Sequence, residues 1–162
     1  MIKLGAQLYT VREFLKTPDQ IETSLRRIKA LGFETVQLSG LGPIDPKNLG
    51  ELIRELGLDV CITHVDYDTL LKDPYRVIEE HRLWNCERIG LSIMPERFRD
   101  TPEGVETFLQ EIAPVAALIK EAGMQFAYHQ HNFEFTHFGN RTAMDMLLYD
   151  TDPDTFHFIL DT

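Results

Sequence analysis

Short apolar runs and amphipathic segments alternate along the whole chain, and this alternation constrains the fold more than any other feature. The apolar runs predict six strands, at Leu4–Tyr9, Thr35–Leu38, Val60–His64, Arg88–Ile93, Gln125–His131 and Phe156–Leu160. The strand–helix unit recurs about every 25 to 35 residues, which is the size of a βα unit. Such an alternation favours a parallel sheet covered by helices.

The segments between the strands carry the start and stop signals of helices. Cap residues that precede a proline predict helix starts, at Thr17, Asp45, Asp73 and Thr101. Glycines that follow an apolar stripe predict helix ends, at Gly32, Gly57 and Gly123. The turn after the first strand contains no glycine, whereas an open dinucleotide-binding sheet favours a glycine-rich turn there. A closed barrel of the (β/α)8 type is therefore the favoured architecture.

The length of the chain limits how much of such a barrel it can contain. A complete barrel needs about 200 residues or more, and this chain has 162. We therefore expect one α/β domain over residues 1–162 that holds about six βα units and lacks the last two strands. Exposed sheet edges pair readily with other chains. We expect either a homo-oligomer or a longer polypeptide that supplies the missing strands.

Composition excludes several classes of partner. The formal net charge is −10, so we expect neither a nucleic acid nor an anionic membrane surface as a partner. No run of 18 apolar residues predicts a membrane span, and the first residues lack the pattern of a signal peptide. Two cysteines, Cys61 and Cys86, make no disulfide framework. Reduced thiols and a cytoplasmic location are the expectation.

Polar side chains are concentrated where the predicted strands end, and barrel enzymes place their active sites at those ends. His129 and His131 are two residues apart, so both project from one face of the strand. Glu134 follows closely, and Asp161 ends the sixth strand. These four residues are candidates for a metal site. Taken alone, a strand-end histidine such as His64 is more often a hydrogen-bonded rim residue, and Asp161 could equally cap a following helix.

The remaining histidines and the tryptophan carry weaker signals. His81 lies in the charged helical segment EEHRLW and is expected on the surface or on a helix face. His137 and His157 are expected to be structural, and Trp84 to anchor a core or a helix contact.

Four motifs resemble the sugar phosphate isomerase/epimerase family, whose barrel is of the xylose isomerase type. They are GAQLYTVRE at the start, the pair His64-Val65, the segment YHQHNFEF, and LDT at the end. The resemblance extends from the first to the sixth strand, and YHQHNFEF is its most specific part. Inosose dehydratases, ketose 3-epimerases and the endonuclease IV type of DNA-repair enzyme are related to this family. The DNA-repair relatives are disfavoured because this chain is acidic.

The resemblance implies a divalent metal (manganese, cobalt, magnesium or zinc) and proton abstraction next to a carbonyl through an enediolate. Asp161 matches a metal ligand of the family, and His129 stands where many relatives carry a glutamate ligand, so both are expected metal ligands. Expected catalytic residues are His131, Glu134 and His64. Expected substrate-binding residues are Gln7, Tyr9, Gln37 and Asn132. The expected substrate is a small sugar or cyclitol.

Isomerisation, epimerisation and dehydration share the enediolate, so three interpretations remain open. The first is a metal-dependent sugar or sugar phosphate isomerase/epimerase. The second is an inosose-dehydratase-like or keto-glycoside lyase. The third is a truncated scaffold without catalytic activity.

Overall fold

The computed structural model describes residues 3–161, in which eight strands and six α-helices are formed. The strands are β1 Gly5–Gln7, β2 Thr35–Leu38, β3 Asp59–Thr63, β4 Arg88–Leu91, β5 Gln125–His129, β6 His137–Phe138, β7 Arg141–Thr142 and β8 Phe156–Ile159. The α-helices are α1 Pro18–Ala30, α2 Pro46–Leu56, α3 Tyr67–Lys72, α4 Pro74–Leu83, α5 Pro102–Glu121 and α6 Ala143–Tyr149. Single 3-10 helices cover Leu8–Phe14, Glu96–Phe98 and Phe133–Phe135.

All six predicted strands are present, and five of them differ from the prediction at one or both ends. Only β2 has the predicted bounds. The prediction is wrong for Leu8 and Tyr9, which begin a 3-10 helix instead of ending β1. Local contacts favour this turn, because the Thr10 hydroxyl donates to the carbonyl of Gln7 at 2.7 Å and the Arg12 guanidinium lies 4.2 Å from the centre of the Tyr9 ring.

The chain divides into two compact units, and each contains a three-stranded parallel sheet. The first unit comprises the residues up to 64 together with 78–88, and its sheet has the order β1-β2-β3. The second comprises 65–77 and the residues from 89 onward, and its sheet has the order β4-β5-β8. The strands follow one another in sequence order in both sheets, as predicted. One sheet that joins all six strands stays a prediction.

The predicted helix signals are confirmed by hydrogen bonds at the helix starts. The Thr17 hydroxyl accepts from the amide of Gln20, and the Asp45 carboxylate accepts from two amides of the first turn of α2. Thr101 caps α5 through the amide of Gly104. The predicted terminal glycines, Gly32, Gly57 and Gly123, all have positive φ, which glycine adopts without steric cost.

Each unit has its own core. In the first unit, leucine, isoleucine and valine side chains of α1, α2, β2 and β3 pack together with Cys86. In the second unit, aromatic rings form the centre, where Phe108 of α5 contacts both Tyr67 and Tyr128 at 5.7 and 5.8 Å between ring centres. Tyr128 in turn stacks on Phe156 of β8. The sheet of the second unit is thus fixed against α5 and α3.

His81 lies on a helix face, the second of the two predicted positions, and this face is buried and not on the surface. Its side chain is 1% exposed, and its Nε2 is 2.7 Å from the hydroxyl of Thr63. Val77 and Ile78 on the same helix are also buried, so His81 continues their apolar face at helical spacing. Trp84 is half-buried beside the core, as predicted, and its indole donates to the carbonyl of Pro46 at 3.0 Å.

Both cysteines are free thiols. Cys86 is buried and Cys61 is half-buried, where its thiol donates to the carbonyl of Val36 at 3.3 Å. Burial raises the pKa of the Cys86 thiol to about 11. Between residues 3 and 161, no helix is both long enough and apolar enough to cross a lipid bilayer.

Candidate active site

His129, the last residue of β5, is held between two oxygen atoms. Its Nδ1 is 3.2 Å from the carbonyl oxygen of Ser92, which follows β4. Its Nε2 is 3.1 Å from Oδ2 of Asp161, which follows β8. The three parallel strands therefore bring these groups to one edge of the sheet. Carbonyl and carboxylate oxygens only accept, whereas a neutral imidazole has one N–H.

A neutral His129 can donate to only one of these two oxygens. When Nδ1–H donates to Ser92, the Nε2 lone pair and the Asp161 carboxylate face each other. Two acceptors at this separation are stable when a proton or a metal ion lies between them. Nitrogen and oxygen ligands bind zinc at about 2.1 Å, which in a tetrahedral site places adjacent ligands of one ion about 3.4 Å apart. The observed separation of 3.1 Å is that of a hydrogen bond and is slightly shorter than the separation of two such ligands.

His129 and Asp161 can supply two ligands of a metal site, and a complete site needs further ligands. Within residues 3–161, no three histidine, cysteine, aspartate or glutamate side chains converge as a metal would require. Asp161 is well placed to bind an ion from solution, since its side chain is 64% exposed while that of His129 is 10% exposed. The predicted metal roles of these two residues stay a prediction that their geometry supports.

Gln130 positions Asp161, a role that the sequence did not reveal. Its amide donates from Nε2 to the carbonyl of Asp161 at 2.7 Å. Its Oε1 accepts from the amide of Asp161 at 2.9 Å. This paired contact fixes Asp161, two residues after β8, against Gln130, the residue after β5. Strand alternation directs Gln130 away from His129 and His131, so no periodic signal marks it.

Glu134 lies beneath the site and not at its surface. It is completely buried, and one carboxylate oxygen accepts from the Tyr128 hydroxyl. The other accepts from the backbone amide of His131 at 2.8 Å. Burial and the adjacent Glu134 charge raise the pKa of Tyr128 far above its usual value. These contacts hold the backbone of His131 in place, and the predicted catalytic role of Glu134 stays a prediction.

His131 is the most accessible imidazole of this cluster. Its side chain is 28% exposed, and its ring centre lies 4.6 Å from that of His129. Its Nδ1 is buried 3.7 Å from the Glu134 carboxylate and has no hydrogen-bond partner among the described residues. Burial and the neighbouring His129 lower the pKa of His131, and Glu134 opposes that effect. A neutral imidazole of this kind can accept a proton.

The other predicted polar residues of the strand ends lie in the first unit. His64 follows β3, and its Nε2 is 2.5 Å from the Gln37 amide nitrogen. Its Nδ1 is 3.1 Å from the hydroxyl of Ser39. Gln7 is the register partner of Gln37 across β1 and β2. Tyr9 lies in the 3-10 helix after β1 and is half exposed.

The structure thus brings together four predicted site residues in the second unit and three in the first. His129, His131, Glu134 and Asp161 form the first group, while His64, Gln37 and Gln7 form the second. Asn132 is exposed at the start of the turn Phe133–Phe135, next to the first group. A site that combines both groups stays a prediction.

Several solved structures are similar to this chain. A sugar phosphate isomerase/epimerase from Parabacteroides distasonis is 22% identical, with a TM-score of 0.77 over 96% of this chain and 67% of that protein. A xylose isomerase-like TIM barrel protein from Mycobacterium smegmatis, in complex with magnesium, is 14% identical, with a TM-score of 0.71 over 99% and 66%. The probable 3-DHS dehydratase of Bacillus anthracis is 12% identical, with a TM-score of 0.67 over 99% and 63%.

These similarities confirm the predicted fold class. The chain is α/β with the fold of xylose isomerase-like TIM barrels, which the sequence resemblance implied. It spans about two thirds of the length of these proteins. No family model matches the chain, and no curated protein matches it.

Proposed function

We propose that this chain forms part of a metal-dependent enzyme that isomerises or epimerises a small sugar or cyclitol by proton abstraction next to a carbonyl. One observation carries the proposal. His129 and Asp161 face each other at 3.1 Å beside His131, at the strand ends where barrel enzymes bind their substrates. The name of the Parabacteroides distasonis structure supports the same reaction class.

His129 and Asp161 are the proposed protein ligands of the divalent ion, which would be manganese, cobalt, magnesium or zinc. Imidazole favours zinc among these ions, whereas carboxylate suits magnesium and manganese. The Mycobacterium smegmatis structure, which contains magnesium, supports a metal in this fold. When bound, a divalent ion polarises the carbonyl and stabilises the negative charge that develops on its oxygen.

His131 is the proposed group that moves the proton. It is partly exposed, it lies beside the proposed ligands, and a neutral imidazole suits general base catalysis. Glu134 and Tyr128 hold its backbone from below. The role of His64 in proton transfer stays a prediction. The roles in substrate binding also stay predictions, for Gln7, Tyr9, Gln37 and Asn132.

Dehydration is the second candidate reaction. The Bacillus anthracis neighbour is named as a probable dehydratase, and dehydration begins with the same abstraction of a proton. The two reactions differ in the fate of the carbanion, which takes up a proton in an epimerase and expels hydroxide in a dehydratase. The products therefore distinguish them.

Solvent exchange tests the shared first step. The protein is incubated in heavy water with each of the four metals and with a panel of ketoses, sugar phosphates and inososes. Deuterium at the carbon next to the carbonyl is then measured by mass spectrometry. We expect incorporation with at least one metal, and a loss of about 100-fold or more in His131→Ala.

The matched control is His137→Ala, since His137 is an exposed histidine of the same unit. We expect it to retain exchange within twofold of the unsubstituted protein. No exchange above the rate of the metal alone, in a protein that is folded by circular dichroism, would favour the inactive scaffold and contradict the enzyme.

A further inference from the structure

Arg99 follows the 3-10 helix Glu96–Phe98, in the connection between β4 and α5. Its side chain is held at two points. The Nε donates to the carbonyl of Met94 at 2.7 Å, and the guanidinium carbon lies 4.1 Å from the centre of the Phe133 ring. Stacking and an anchored Nε fix the plane of a guanidinium before any ligand arrives.

The two terminal nitrogens of Arg99 are not used by the protein. Within residues 3–161, neither makes a hydrogen bond, and no carboxylate forms an ion pair with this side chain. Its neighbour Arg97 differs, because it pairs with Asp68 at 3.3 Å.

The unused donors belong to a residue that lines a cavity of about 430 Å³. The other lining residues are Glu96, Asp100, Phe133 and Thr136. This volume lies within the range of small-molecule sites. The two acidic residues disfavour an anion by charge alone, so a ligand would depend on direct contact with the guanidinium and on the Thr136 hydroxyl.

Phe133 connects this cavity with the candidate active site. The ring that carries Arg99 also stacks against His131, with 5.4 Å between ring centres and an interplanar angle of 14°. The guanidinium is therefore less than about 10 Å from the His131 ring, and the Phe133 ring contacts both groups.

We propose that Arg99 binds an oxyanion of the substrate, a phosphate or a carboxylate, through its two terminal nitrogens. This inference rests on the proposed function, because it assigns a substituent of the substrate to that site. Guanidinium groups match phosphate and carboxylate oxygens in a two-pronged geometry. The substrate class then narrows to sugars or cyclitols that carry a negative charge.

Binding without turnover tests this assignment independently of the enzymatic activity. Ribose 5-phosphate, ribonate and ribose are titrated into the metal-free protein by calorimetry, and inorganic phosphate is titrated by NMR with observation of the Arg99 Nε–H signal. We expect one of the two anionic compounds to bind at least tenfold more tightly than ribose. Preference for ribose 5-phosphate identifies phosphate, and preference for ribonate identifies carboxylate.

Three variants test whether Arg99 causes the preference for an anionic compound over ribose. Arg99→Met should abolish the preference for the anion, and Arg99→Lys should retain only part of it because lysine lacks the fork. Arg97→Met is the matched control, which removes an equal charge two residues away and should change affinity less than twofold. The inference is overturned if no anion exceeds ribose, if Arg99→Met leaves the preference unchanged, or if Arg97→Met removes it equally. In the unsubstituted protein, an Arg99 Nε–H signal whose chemical shift does not change on addition of phosphate would exclude phosphate as the ligand. This result does not depend on whether any variant folds.

Discussion

Replacement of Glu134 by alanine would remove the only acceptor that the structure shows for two buried donors. The Tyr128 hydroxyl and the His131 amide both donate to this carboxylate, which is completely buried. A buried donor without a partner costs about 1–3 kcal/mol, so the two donors together cost about 2–6 kcal/mol. Domains of this kind unfold with about 5–15 kcal/mol, and the variant should be severely destabilised.

Glutamine at position 134 is the informative comparison, because it has nearly the same shape and keeps one of the two contacts. Its Oε1 can accept from the His131 amide, but its Nε2 is a donor that faces the Tyr128 hydroxyl, so the tyrosine proton loses its acceptor. One unpaired buried donor costs about 1–3 kcal/mol, which is less than the cost of two in the alanine variant. Tyr128→Phe removes one of the two donors and should cost about 1–3 kcal/mol.

Urea unfolding followed by circular dichroism measures these free energies, with His137→Ala as an exposed control expected within about 0.5 kcal/mol of the unsubstituted protein. The expected order of stability places Glu134→Gln above Glu134→Ala by at least about 1 kcal/mol. Equal losses in the two variants would show that the hydrogen bonds do not determine the effect. Unchanged stability in both would refute the buried network itself.

Four further outcomes are expected. Stability should fall as pH rises above about 9 through Cys86 and above about 10 through Tyr128, by up to about 1.4 kcal/mol per pH unit for each group, because both pKa values are raised in the folded protein and the unfolded chain loses these protons first. Tyr128→Phe should reduce the slope measured by urea unfolding above pH 10. His81→Ala should lower the free energy of unfolding by about 2–4 kcal/mol, because it leaves a cavity and removes the partner of the buried Thr63 hydroxyl. A loss below about 0.5 kcal/mol, measured by urea unfolding, would contradict the burial of His81. Asp161→Asn should weaken manganese binding, measured by calorimetry, at least about tenfold, and unchanged affinity would exclude Asp161 as a ligand. Light scattering of the purified chain should give a mass above that of one copy, because exposed sheet edges favour pairing; a monomer would contradict the expected homo-oligomer.

The sequence predicted the strands and helix starts well, because those signals are local. Asp45 before a proline caps a helix through amides two and three residues away, so no distant residue is needed to identify it. The burial of His81 could not be foreseen, because Thr63, which contacts its ring, is 18 positions away. Tyr9 was misjudged because an apolar aromatic residue suits a strand and a short helix equally well.

The candidate site was predictable in its residue types and not in its geometry. Strand ends and the i, i+2 spacing placed His129 and His131 on one face, and they are adjacent in the structure. Glu134 was expected at the rim, yet the turn Phe133–Phe135 directs it back beneath His131. Ser92 contributes only a backbone carbonyl, which no side-chain pattern can reveal.

His64 and His129 look alike in the sequence, since each ends a buried strand, but their partners imply different chemistry. His64 faces an amide and a hydroxyl. A hydroxyl donates or accepts, and a carboxamide can rotate to present either atom, so a neutral His64 can satisfy both contacts in either tautomer. His129 faces two acceptors, and no neutral tautomer satisfies both. The first histidine can therefore satisfy its contacts as a neutral group, whereas the second cannot. The contacts of His129 support its proposed role, with Asp161, as a ligand of the metal, and proton transfer by His64 stays a prediction.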